Sequence, residues 1–164
     1  MNELAQPFYQ IFTLPPQQWH PLLVHFPIVF LISEAFFISL FVMTKRENFE
    51  IVAYRFLIVG FWSITIAVIA GFHDCGLSLG SGNKFLLGLQ DRWENGSRFQ
   101  SSVTIHFWLA LLLIMITSSR LFWRWRSGPR VWMGSNRFFY TFFTFSGIWC
   151  LFAMSYVGGL LSHK

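Results

Sequence analysis

A chain of 164 residues is enough for one domain, and its composition excludes an ordinary soluble one. Hydrophobic residues make up 54% of it, aromatics 20% and charged residues 12%, where a soluble domain carries about twice that share of charge. The net charge of +5 is no nucleic-acid signature, because the basic residues sit mostly between long uncharged runs, where they orient a chain in a bilayer.

Residues 1–19 are mixed. Leu4, Phe8, Ile11 and Phe12 share a face of a short helix resting on the membrane surface, with a plain tail as the other reading. Pro15-Pro16 ends the segment, and Trp19 is of the type that anchors at a membrane interface. The start of the chain lacks the basic segment and apolar core of a cleavable signal peptide.

Four apolar runs follow, each long enough to cross a bilayer. The first is expected over residues 22–43, with Pro27 near its start, where a missing backbone donor is tolerated. A short charged loop with Lys45 and Arg46 leads to the second, over 51–72, with Arg55 one turn inside it. Residues 73–102 form the longest polar segment, in which Phe85, Leu86, Leu87 and Leu89 are expected to dip back onto the membrane. The third run covers 103–122. A basic connection with Arg124, Arg126, Arg130 and Arg137, turning at Gly128-Pro129, joins it to the fourth, over 138–161.

Four spans with short connections predict an all-α integral membrane protein, an up-down four-helix bundle forming one membrane domain. Lys45, Arg46, Arg55, Arg120, Arg124, Arg126, Arg130 and Arg137 gather on one side, against Lys84, Arg92, Arg98 and Lys164 on the other. The more basic side is expected to be cytoplasmic. In a bacterium that places the chain in the inner membrane, multi-pass, with both termini and the 73–102 loop in the periplasm.

In this frame all five histidines fall on the outer side, although they are scattered along the chain. His20 and His25 open the first span, His73 closes the second, His106 opens the third and His163 follows the fourth. His25 and His106 both lie about a turn inside their spans, on different helices, whereas His20, His73 and His163 form a shallower layer. His20 and His25 are rotated about 140° apart on a helix, so they do not serve one metal from one face. Histidine is costly in hydrocarbon without a partner. Two imidazoles facing across a bundle interior are a common way to hold haem b, with apolar and aromatic walls around the porphyrin. Phe26, Phe30, Phe72, Phe107 and Trp108 are candidate walls, and Gly71, Gly158 and Gly159 allow close approach of a flat ring. The deep pair, His25 and His106, is the first choice for axial ligands through the haem iron, and the shallow layer for a second haem. The competing reading for each is an interfacial imidazole hydrogen-bonded to a carbonyl.

A rival chemistry is a small zinc or copper site at His73-Asp74-Cys75, whose spacing matches no strong motif. The other cysteine, Cys150, lies mid-span and is not expected to pair with Cys75. Glu34 sits near the middle of the first span, where an ionised carboxylate needs a partner, a proton or water. The expected partner is Arg55, reaching in from the basic side, with Ser33 and Ser63 as alternatives and a proton path as the sharper reading. On that basis Glu34→Gln is expected to leave folding nearly intact.

His20-Pro21-Leu22-Leu23-Val24-His25-Phe26-Pro27 resembles the H-P-x-x-V-H-F-P motif of a bacterial family of predicted four-span membrane proteins of unknown function. The likeness extends to Gly71-Phe72-His73-Asp74, where His73 is an addition to the usual pattern, to His106 and to Gly158-Gly159-Leu160. It implies haem binding and electron transfer beside periplasmic c-type cytochromes and other redox proteins. The polar 77–102 segment is longer than the family's usual one, which implies a docking partner there.

The chain offers no nucleotide loop, no nucleophile with a base and no catalytic dyad. The expected role is a haem b-binding electron-transfer subunit of a larger membrane redox complex, not catalytic alone, with quinone as an exchange partner. The alternative is a structural or accessory membrane subunit without cofactor, and a third reading is a metal or small-solute permease that would have to oligomerise.

Overall fold

The computed structural model describes the backbone of residues 19–74 and 98–162 and the side chains of residues 21–71 and 104–159. The elements are helices α1 (Trp19–Leu23), α2 (His25–Thr44), α3 (Glu47–Asp74), α4 (Arg98–Ser127) and α5 (Ser135–Ser162), with a 3₁₀ turn (Gly128–Trp132) between the last two. Among the described residues four helical segments are long and apolar enough to cross a membrane: Pro21–Thr44, Glu47–Gly71, Thr104–Trp132 and Ser135–Gly159. The chain is thus an all-α, four-span membrane bundle. The expected surface helix before Trp19, the hydrophobic stretch at 85–89 and Cys75 lie outside the described residues.

The spans begin and end at backbone signals. Lys45 closes α2 in the left-handed region (φ 59°), donating its N–H to Phe41 O at 2.8 Å, so α3 starts at Glu47, earlier than the apolar run alone suggests. The larger departure is at α4. Its expected end at residue 122 moves to Ser127, because Arg124 is held inside the bundle by Glu50 and Tyr54 and does not spread into a loop. Gly128 (φ 54°) and Gly134 (φ 57°) bracket the turn and supply left-handed backbone that side chains resist.

Contacts between helix ends set the topology. Arg124 near the end of α4 meets Glu50 near the start of α3, and His106 near the start of α4 meets Met154 near the end of α5. Neighbouring spans therefore run antiparallel. In lipid no hydrophobic force drives helices together, so close packing of small residues does more of the work. Buried Ala35, Ala53, Gly60, Ala67, Ala110 and Gly147 mark the interior, while large residues such as Phe36, Trp62, Met115 and Trp149 are exposed to the hydrocarbon. Two apolar clusters fill the interior. One joins Leu31, Ile64, Ala110, Leu113, Cys150, Leu151 and Met154. The other, nearer the basic end, joins Ile38, Ala53, Val131 and Tyr140.

The tightest approach is at Gly60, where a Cβ would lie 3.0 Å from Leu31 Cδ2 and 3.6 Å from Phe30 Cβ. Gly60→Val should therefore destabilise the bundle by about 1–3 kcal/mol through overpacking. Gly147→Ala, whose methyl would make an ordinary contact with Ile116 Cγ2 at 3.5 Å, should cost far less. Reversible unfolding in mixed micelles measures both.

Candidate functional site

Two places in the bundle carry chemistry: a charged centre toward the basic end and the histidines at the opposite end. The charged centre begins with Glu34, on the α2 stripe of Pro27, Leu31, Glu34, Ala35 and Ile38 that faces the interior. Across the bundle, the α4 stripe of Ala110, Leu113, Thr117 and Arg120 is buried in the same way. Arg120 Nη2 donates to Glu34 Oε1, with side chains only 2% and 1% exposed. The guanidinium also lies over the Tyr140 ring of α5, 5.2 Å from its centroid, an arrangement that favours the cation. Three helices thus meet at one ion pair near mid-span. Thr117 and Thr144, buried beside it, return their hydroxyls to Leu113 O and Tyr140 O of their own helices.

One turn along α4, Arg124 Nε donates to Glu50 Oε1 at 2.5 Å and lies 5.2 Å from the Tyr54 ring centroid. The α4 arginines therefore form two successive rungs, to α2 and to α3. Glu34 Oε2 and Arg120 Nε are buried without a hydrogen-bond partner among the described residues, so the inner rung is only partly satisfied.

This arrangement corrects the expected partner of Glu34. Arg55 is exposed on the α3 stripe of Ile51, Val59, Trp62, Ile66 and Ile69, and residues spaced this way point away from the bundle. Ser63 donates to Gly60 O and does not serve the carboxylate. Arg120 was legible as a basic residue but not as the partner. The signal was its spacing from Thr117, Leu113 and Ala110, which puts it on a face of small and apolar residues.

At the other end, His25 Nδ1 lies 2.8 Å from Pro21 O, and His106 Nδ1 lies 3.1 Å from Met154 O. A carbonyl only accepts, so each Nδ1 donates, and a neutral ring then carries its lone pair on Nε2. This second-shell arrangement is the one that orients metal-binding imidazoles. The two rings differ in direction. His106 belongs to the buried α4 stripe and packs against α5, so that a Cβ on Gly158 would lie 3.1 Å from its Cε1. His25 is exposed on the stripe of Val29, Ile32, Phe36 and Met43. They do not face each other across the interior as expected, because their helical positions turn one inward and the other toward lipid.

Phe26 and Trp108, expected as ring walls, are likewise exposed. His20 lies in α1 and His73 in the last turn of α3, with side chains outside the described residues, as is all of His163. Among the described residues no three His, Cys, Asp or Glu side chains come together as a metal-binding group. Buried Cys150 donates its thiol to Leu109 O at 3.3 Å, a packing contact between α5 and α4.

These features define a small integral membrane protein with a charged interior at one end and histidines at the other. It belongs to the family of predicted membrane proteins DUF2231, whose model matches residues 16–164. No curated protein and no solved structure matches the chain.

Removing either partner of the inner rung leaves a buried charge uncompensated, at a cost of about 3–5 kcal/mol. Glu34→Gln and Arg120→Gln should each show that loss in reversible unfolding, in place of the mild effect expected from a pairing with Arg55. Arg55→Gln, on the outward face, should stay within about 0.5 kcal/mol of the parent.

Proposed function

We propose that this protein is a haem b-binding electron-transfer subunit of a bacterial inner-membrane redox complex. The histidine end and both termini lie on the periplasmic side. The orientation is supported by the concentration of Lys45, Arg46, Arg55, Arg124, Arg126, Arg130 and Arg137 at the opposite end. One observation carries the haem reading: of the two imidazoles at this end, each with Nδ1 on a backbone carbonyl, His25 is exposed on the outward stripe. In His25, whose ring is exposed, this leaves Nε2 as the nitrogen that would face a haem iron.

Their directions shape the reading. Two rings on opposite faces do not clamp one iron through the bundle interior. His25, on the outward stripe, would supply its nitrogen to the haem iron, with a neighbouring subunit completing the site. His106 holds α4 against α5. When bound, the haem supplies one-electron transfer. The exchange partners would be a periplasmic c-type cytochrome on one side and quinone or another membrane carrier on the other.

A second reading has its own support. The His106 contact with Met154 O and its fit against Gly158 make sense as a helix clamp in an accessory subunit that carries no cofactor. The visible spectrum of the complex, purified from native membranes in mild detergent, separates the two. Haem binding predicts a Soret band with α and β bands on reduction, converted or lost in His25→Ala because an axial imidazole is removed. His106→Ala should lower the thermal midpoint under both readings. A haem-free assembled complex, or a His25→Ala complex with an unchanged low-spin spectrum, contradicts the haem proposal.

A further inference from the structure

Two open grooves of similar size, each about 390 Å³, lie on the bundle surface toward its basic end. One runs between α3 and α4 and is lined by Tyr54, Ile58, Ser118, Leu121, Phe122 and Trp125. Its walls carry no charge, and the nearby Arg124 is engaged by Glu50 and Tyr54. The other runs between the end of α2 and the first turns of α5, lined by Val42, Gly134, Arg137, Phe138 and Thr141. This second groove is apolar along its length with a cation at one end.

Arg137 has no ion-pair partner among the described residues, where Arg120 and Arg124 take Glu34 and Glu50. Lys45 and Arg46 follow shortly after Val42 and are exposed, as is Arg130. Glu47 is the one exposed carboxylate of that connection among the described residues, so the surroundings keep an excess of positive charge. Arg137 is the third residue of α5, at the level where a span meets the headgroups, and Phe138 and Thr141 continue into the hydrocarbon. At Gly134 the groove's mouth has no side chain, and a Cβ there would meet nothing within 4 Å.

We infer that the α2–α5 groove is a binding site for an anionic phospholipid. An acyl chain lies along Val42, Phe138 and Thr141, and the phosphate is held by Arg137 with support from Lys45. Charge decides the occupant. An apolar helix or an uncharged lipid would fill the groove but leave the Arg137 guanidinium unmatched, whereas an anionic headgroup completes it. The neutral α3–α4 groove should take lipid chains without regard to headgroup charge. The inference is independent of haem binding.

Native mass spectrometry of the full-length protein tests it, after release from nanodiscs containing equal amounts of phosphatidylglycerol and phosphatidylcholine. The protein should retain phosphatidylglycerol in preference, and Arg137→Gln should cut that preference about five-fold. Arg137→Lys should keep much of it, and Thr141→Trp, which fills the groove, should remove the retained lipid. Ser118→Trp, in the other groove, should leave the preference unchanged. If Arg137→Gln does not fold, the Arg137→Lys and Thr141→Trp pair carries the test. Equal retention of both lipids by the parent protein would overturn the inference. So would a preference that survives Thr141→Trp, or one abolished by Ser118→Trp. A groove covered by a second copy of the chain with no phosphatidylglycerol retained would also overturn it.

Discussion

The ion pair between Glu34 and Arg120 is the constraint on which the rest of the bundle depends. It lies near mid-span, between the cluster around Leu31 and Leu113 and the cluster around Ile38 and Tyr140. Neither charge is tolerable there alone. Because α2 continues into α3 through Lys45 and Arg46, and α4 into α5 through a short turn, the pair joins one helical hairpin to the other. A sliding of either hairpin by one turn would bury two separated charges. The pair therefore sets the register of the two hairpins. It is not expected to add much net stability, since desolvation offsets most of its attraction, and one oxygen of Glu34 and the Nε of Arg120 lack partners among the described residues.

That constraint divides the molecule by chemistry. Toward the basic end the interior is polar and cross-braced, with Arg124 on Glu50 and two guanidiniums over tyrosine rings. Toward the histidine end the cluster of Leu31, Ile64, Leu113, Leu151 and Met154 fills it. His106 meets Met154 O there, and His25 leaves it for the lipid face.

Much of the architecture was legible in the chain. Uncharged runs of this length leave only helices as spanning structures, and the short connections fix neighbours as antiparallel. The need of Glu34 for a partner was legible for the same reason. Which way each helix turns was not. A span that is apolar all round gives little amphipathic signal, so the interior is marked by small residues such as Ala53, Gly60 and Ala110, which are easily overlooked beside the phenylalanines. Arg55 and Arg120 illustrate the difference. Both approach the membrane from the basic side, but Arg55 shares its face with Trp62 and Ile66, and Arg120 shares its own with Thr117 and Ala110. The same period sends His25 outward with Val29 and Phe36. Depth alone matched His25 to His106, and depth does not determine facing.

The central claim, that one buried pair registers the two hairpins, is tested most directly by the coupling between its members. Unfolding free energies in mixed micelles are needed for the parent, Glu34→Leu, Arg120→Met and the double variant. The account predicts a double variant within about 1 kcal/mol of the parent, because replacing both charges by apolar groups removes their desolvation along with their attraction. The coupling energy should then be several kcal/mol. A double variant whose loss equals the sum of the two single losses, to within about 0.5 kcal/mol, would show that the two charges act independently and would contradict it.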